Sequence, residues 1–207
     1  MVKALLAGTK TQTRRLANSS TCETSAPWAA IDWLSDEGFA DPGLGAGGYL
    51  KLPHIDGETI HCVVPRVRIG DRLWVRETWS GHHDERGTPP GQRSVSQSWY
   101  WADGNPEYGD WERPRPGIHM PRWASRLTLL VSDVRVQKLQ DISEGDARAE
   151  GVSYVEGNNC DGVYIVPESK TAMSGTNARD CFSRLWTEIN GLDAWQANPW
   201  VIAVTFT

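Results

Sequence analysis

The segment Gly8-Thr9-Lys10-Thr11-Gln12-Thr13-Arg14-Arg15 constrains the fold more than any other eight residues. It follows Ala4-Leu5-Leu6-Ala7, an apolar run that reads as the last turn of a small helix. Gly8 suits the end of that helix, because the position after the cap takes positive φ and glycine has no Cβ to oppose it. Beyond it, β-branched threonines favour extended backbone. A lysine is thus expected at a helix exit that runs straight into a strand. In that strand positions 11, 13 and 15 share a face, so Thr13 and Arg15 are expected side by side. Lys10 has the opposite parity and joins them only through its long stem or a local kink.

With 207 residues the chain suits a single domain with decorated loops, large enough to bury a core. The net charge of −5 gives no global basic footprint for duplex DNA or long RNA, which favours a small partner over a polymer. Eleven tryptophans serve core and loop packing for the most part, although an indole face also stacks on a nucleobase. Cys22, Cys62, Cys160 and Cys181 lack Cys-x-x-Cys spacing and fit free thiols in a reducing cytoplasm. His61-Cys62 and His82-His83-Asp84 lack the paired spacing of a zinc site, so neither metal nor cofactor is expected. No apolar run is long enough to cross a membrane.

Along the chain, residues 17 to 48 read as an irregular insertion, with turn clusters at Asp41-Pro42-Gly43 and Gly45-Ala46-Gly47-Gly48. Thr59 to Val67 reads as a strand interrupted by Pro65. Arg72 to Trp79 alternates as a second strand, setting Leu73, Val75 and Glu77 against Trp74, Arg76 and Thr78. That parity puts Glu77 on an otherwise apolar face, where a carboxylate needs a partner or a job. Ser98 to Trp101 is a short strand, and residues 103 to 117 form a proline-rich loop. Arg126 to Leu139 is the longest strand signal; its apolar parity changes near Ser132-Asp133, the mark of a bulge where a sheet curls. Ile142 to Gly151 reads as a short helix, with Ser143 as N-cap, Asp146 at N3 and Gly151 as its stop. Asn177 to Ile189 is the best helix, with Cys181, Phe182, Leu185, Trp186 and Ile189 on one stripe. Pro199 to Phe206 closes the chain as a strand.

The pattern Gly-x-Lys-x-x-Thr-x-Arg at residues 8 to 15 resembles the signature of the ASCH domain family, a branch of the PUA-like superfamily. Other segments resemble its Trp-rich members, common in phage and prophage genomes. They are Gly70-Asp71-Arg72-Leu73-Trp74-Val75-Arg76-Glu77-Thr78-Trp79, Ile118-His119-Met120-Pro121-Arg122-Trp123-Ala124, Ala147-Arg148-Ala149-Glu150-Gly151 and Asn198-Pro199-Trp200. The resemblance implies an α+β fold: a small, mostly antiparallel PUA-like β-barrel with a few short flanking helices and long loop insertions, at about 17–57 and 80–124. The chain departs from compact family members in those insertions and in beginning almost at the helix.

Some proteins of this family are amidohydrolases that remove the acyl group from N4-acetylcytidine. Matched motif to motif, the resemblance implies Lys10, Thr13 and Glu150 as the catalytic set. Amide hydrolysis asks for a nucleophile, positive charge or N–H donors at the developing oxyanion, and a proton for the departing amine. Thr13 supplies the hydroxyl or orients a water. Lys10 is either the base, with Glu150 orienting it, or a cation at the oxyanion, with Glu150 as base. Glu77, Arg15, Arg76, Trp74 and Trp79 are candidates for holding the substrate, the arginines also for structural ion pairs and the tryptophans for core packing. His119 is a rim or local hydrogen-bonding residue. The leading expectation is a cytoplasmic, metal-independent amidohydrolase acting on an N4-acylated cytosine nucleoside or base. The alternatives are a module that binds RNA or a modified base, and a phage accessory protein acting through a protein partner.

Overall fold

The computed structural model describes residues 1–17, 22–24, 39–40, 50–53, 60–85, 87–89, 92, 94–156, 162–167 and 174–207. The two turn clusters at 41–48, Cys160, and the side chains of Cys22, His61 and Cys62 lie outside the described residues. In chain order the elements are α1 (Val2–Leu6), β1 (Gln12–Leu16), β2 (Cys22–Thr24), β3 (Phe39–Ala40), β4 (Leu50–Pro53), β5 (Ile60–Pro65), β6 (Arg72–Trp74), β7 (Trp79–Gly81), β8 (Ser98–Tyr100), β9 (Thr128–Lys138), α2 (Glu144–Ala149), β10 (Ser153–Val155), β11 (Val163–Ile165), β12 (Ser174–Gly175), α3 (Ala178–Asn190) and β13 (Trp200–Phe206). Every strand pairing among the described residues is antiparallel, and the fold class is α+β. These elements form two compact units, one of Met1, Lys3–Asp71 and Val131–Thr207, the other of Val2 and Arg72–Leu130. The second takes in the whole of the 80–124 insertion.

In the first unit β13 lies between β1 and β9. It is the most apolar strand, buried from Trp200 to Val204 and again at Phe206, as a central strand with both faces covered must be. Its ladder to β9 slips between Thr205, which faces Asp133, and Phe206, which faces Val131. Ser132 is therefore the extra residue of a bulge, which is why Val131 and then Val134 and Val136 are all buried despite their mixed parity.

Both forecast helices are capped as their sequences require. Ser143 Oγ accepts from Asp146 N–H at 3.0 Å, and the Asp146 carboxylate accepts from Ser143 N–H, closing a capping box on α2. Asn177 Oδ1 accepts from Asp180 N–H at 2.7 Å at the start of α3. Glu144 adds a second cap there, accepting from the Ala178 and Arg179 N–H groups, so the starts of α2 and α3 are tied to each other. Cys181, Phe182 and Trp186 of α3 pack with Leu139, Ile142, Ala147, Val152 and Val201 into one core. Ile189, at the end of the expected stripe, is exposed instead.

One expectation is corrected, and the interruption expected at Pro65 is present. The segment read as irregular contributes β2 and β3, which join β4 and β5 in a sheet of order β2-β5-β4-β3. Strand β5 stops at Pro65, which has no N–H to continue a ladder.

In the second unit the expected strand 72–79 is two strands. β6 pairs with Thr128–Leu130, whereas β7 pairs with β8, so the chain changes partner between Val75 and Thr78. The forecast parity still holds across the break, with Val75 and Glu77 buried and Arg76 and Thr78 exposed. Trp79, Tyr100, Met120 and Ala124 form this unit's core, and Trp123 meets Trp79 edge-on at 5.5 Å between ring centroids. No helix among the described residues is long and apolar enough to cross a membrane.

Leu139 is fully buried, so Leu139→Ala is expected to cost about 3 kcal/mol in urea unfolding, from lost transfer energy plus a cavity. Ile189→Ala, on the same core's nominal stripe but exposed, is expected to change stability by less than about 0.5 kcal/mol.

Candidate functional site

The site is built where the start of β1 meets the C-terminal end of α2. α1 closes as forecast: Ala7 is its cap and Gly8 follows at φ 68°. The Thr9 and Lys10 N–H groups both donate to Ala4 O, which turns the chain toward β1. Thr11 N–H then donates to Ala149 O at 2.8 Å, satisfying a carbonyl that a helix end leaves unpaired. Lys10 completes the docking. Its Nζ donates to Glu150 O at 2.7 Å and to Glu150 Oε2 at 2.8 Å, across 140 positions of sequence.

This arrangement answers an electrostatic problem. Glu150 is the C-cap of α2, where the helix dipole disfavours a carboxylate. The Lys10 ammonium sits on both the carboxylate and the cap carbonyl, so it compensates side chain and dipole together. The two side chains are only 10% and 5% exposed, which removes most of the water that screens a surface pair. Gly151 takes φ 102° just beyond, and a Cβ there would touch the Lys10 stem at 3.6 Å. That is an ordinary contact, so it is the positive φ of the turn that calls for glycine.

Glu150 has a second cation. Arg14 Nη1 lies 3.2 Å from Glu150 Oε1, and its Nη2 lies 3.2 Å from Asp146 Oδ2. Asp146 Oδ1 also accepts from Arg135 Nη2 at 2.9 Å and from Gln12 Nε2 at 3.2 Å. Gln12 Oε1 accepts from Arg14 Nη1 at 2.6 Å, and its amide reaches Thr205 Oγ1 at 3.0 Å. Lys10, Glu150, Arg14, Asp146 and Arg135 therefore alternate in charge. Burial alone would raise the Asp146 carboxyl; the Arg135 hydrogen bond and charge, with help from Gln12 and Arg14, overcome it and hold the pKa at about 2.

Lys10 and Glu150 are thus brought together. Thr13 pairs with Val204 across the ladder to β13 and takes the opposite face of β1 from Gln12 and Arg14. Among the described residues no hydrogen bond joins its hydroxyl to Lys10 or Glu150. Arg15 is exposed. Gln12, Arg14, Asp146 and Arg135 are the members that sequence reasoning missed. Their signal was present: Gln12 and Arg14 share Lys10's parity, and Asp146 and Glu150 stand four apart across one short helix.

The other candidates lie in the second unit. Glu77 is 4% exposed, and Arg126 satisfies it through both oxygens, Nε to Oε1 at 2.9 Å and Nη2 to Oε2 at 3.0 Å. Arg126 also pairs with Asp103 and lies over the Tyr100 ring at 4.0 Å. The carboxylate that needed a partner has one in this arginine. Trp79 is core. Trp74 is half-buried, with the Arg76 guanidinium 4.5 Å above its ring, so Arg76 makes a cation–π contact where an ion pair was expected. His119 is exposed in a short 3-10 turn. No cluster of metal-ligating side chains occurs among the described residues. Comparisons with family models, with curated proteins and with solved structures find no match to this chain.

The depressed Asp146 pKa carries a stability prediction. Its contribution is complete above the ordinary aspartate range near pH 4 and is lost as pH falls toward about 2. Urea unfolding of the wild type between pH 5 and 2 should therefore show a steeper acid loss than Asp146→Asn; parallel curves would contradict it.

Proposed function

We propose that the first unit is a PUA-like barrel and that the chain is a metal-independent amidohydrolase of N4-acylated cytosine nucleosides or bases, working in the cytoplasm. The observation that carries this reading is the Lys10–Glu150 contact of 2.8 Å, made by the two residues that the signature and the later short helix bring into question independently. Support also comes from the low exposure of the pair, since donors and charges act more strongly where water is excluded.

In this reading Lys10 is the cation at the oxyanion. Two of the three ammonium N–H donors go to Glu150, and the third is left for the acyl carbonyl oxygen. The Glu150 carboxylate takes a proton from a water whose oxygen attacks the acyl carbon. The tetrahedral intermediate collapses with cleavage of the carbon–N4 bond, and the same proton passes to the departing exocyclic amine. The products are a carboxylic acid and cytidine. Water is preferred to Thr13 as nucleophile because Thr13 takes the other face of β1.

The competing reading is a module that binds RNA or a modified base without turning it over. It draws on the Trp74–Arg76 stack of the second unit, a platform of the kind that binds bases.

The ultraviolet spectrum of N4-acetylcytidine incubated with the wild type should convert to that of cytidine. Lys10→Ala and Glu150→Gln, each verified as folded by circular dichroism, should lower the rate by at least about a hundredfold. No conversion by the wild type of N4-acetylcytidine or of longer N4-acyl cytidines, with salt-sensitive binding of oligonucleotides, would favour the binding module.

A further inference from the structure

Arg14 falls on a variable position of the Gly-x-Lys-x-x-Thr-x-Arg pattern, so the resemblance assigns it no role. The geometry points to Arg14 as the positioning residue of the site, the buried group that fixes the Glu150 carboxylate opposite Lys10 and is itself backed by Asp146 and the half-exposed Arg135. This inference rests on the amidohydrolase reading for its kinetic consequence, but its structural claim can be measured separately.

The Arg14 side chain is 0% exposed, so it does not reach a substrate and acts only through its neighbours. Glu150 lies at the end of a six-residue helix, a place where the backbone frays unless it is held. Lys10 holds Oε2 and Arg14 holds Oε1, so the plane of the carboxylate is set from both sides. The planar guanidinium reaches Glu150 and Asp146 with different nitrogens, a geometry that a lysine ammonium cannot reproduce. Asp146 is fixed in turn by the capping box, by Gln12 and by Arg135 of β9.

The energetics agree. Arg14 Nε and Nη2 are both buried without a hydrogen-bond partner among the described residues, Nη2 meeting Asp146 only as an ion-pair contact at 3.2 Å, and unsatisfied buried donors are costly. The guanidinium also lies 5.9 Å from the Phe182 ring centroid, within a wall where an apolar side chain of similar volume would be cheaper. A cation kept at such a position is explained by the two carboxylates it orients.

The test uses the full chain with Arg14→Lys and Arg135→Gln. It reads kcat and KM on N4-acetylcytidine together with hydrogen exchange of the Lys10 ammonium by 15N NMR. Arg14→Lys should lower kcat at least about tenfold and leave KM within about twofold, because it misplaces a reacting group without touching substrate. The Lys10 ammonium signal, slow to exchange in the wild type, should broaden in the same variant. Arg135→Gln should move both readouts in the same direction by a smaller factor. A folded Arg14→Lys with wild-type kcat and an unchanged Lys10 signal overturns the proposal. If Arg14→Lys does not fold, Arg135→Gln decides, and no change in either readout there overturns it. If the wild type leaves every N4-acyl cytidine intact, the amidohydrolase reading has failed. The Lys10 signal then decides alone: its loss in Arg14→Lys supports the positioning role, its retention overturns it.

Discussion

The Lys10 ammonium against the C-terminal end of α2 organises the first unit around one contact. A helix of six residues has little stability of its own, so it depends on what satisfies its ends. At its start the capping box and the tie through Glu144 to α3 serve. At its end the start of β1 does so, through Thr11 N–H and the Lys10 ammonium. Because Lys10 also takes the Glu150 carboxylate, the same contact that finishes the helix assembles the candidate chemistry. Removing either charge would leave the other nearly buried and partly unpaired, which is far more costly than losing a surface pair.

Partners, not burial, distinguish the buried carboxylates of the two units. Glu77 and Glu150 are both almost inaccessible and both face an arginine, yet their surroundings differ. Arg126 occupies both oxygens of Glu77, and its second partner, Asp103, completes a closed set. Glu150 is shared between a lysine and an arginine, and among the described residues no third acceptor meets the Lys10 ammonium. A satisfied pair supports a fold, whereas a pair with a spare donor beside it has chemistry to offer. This contrast, more than fold likeness, separates the site from the rest of the polar interior.

Much of this was legible in local sequence. Gly8 and Gly151 take the positive φ that their helix-stop positions demanded, Ser143 and Asp146 form the box their spacing announced, and the parity change near Ser132 is a bulge. Those features are set by neighbours in the chain. The face of β1 was not legible in the same way. Threonines at 11 and 13 suggested the functional face, but the ladder to β13 turns Gln12 and Arg14 inward, because Asp146 and Glu150 wait there to pair with an arginine. A buried Arg14 reads in sequence as a solvated charge until its two carboxylates, more than 130 positions away, are known. The break between β6 and β7 was hidden for a similar reason, since an unbroken alternation says nothing about a change of partner strand.

Lys10 and Glu150 meet, nearly buried, where the start of β1 joins α2, and so should act as one coupled unit. A double-mutant cycle of Lys10→Met and Glu150→Gln, read by urea unfolding at neutral pH, tests it most directly. The expected coupling energy is at least about 1 kcal/mol, the summed costs of the two single variants exceeding the cost of the double variant by that amount. Additive single effects, with a coupling near zero, would contradict it.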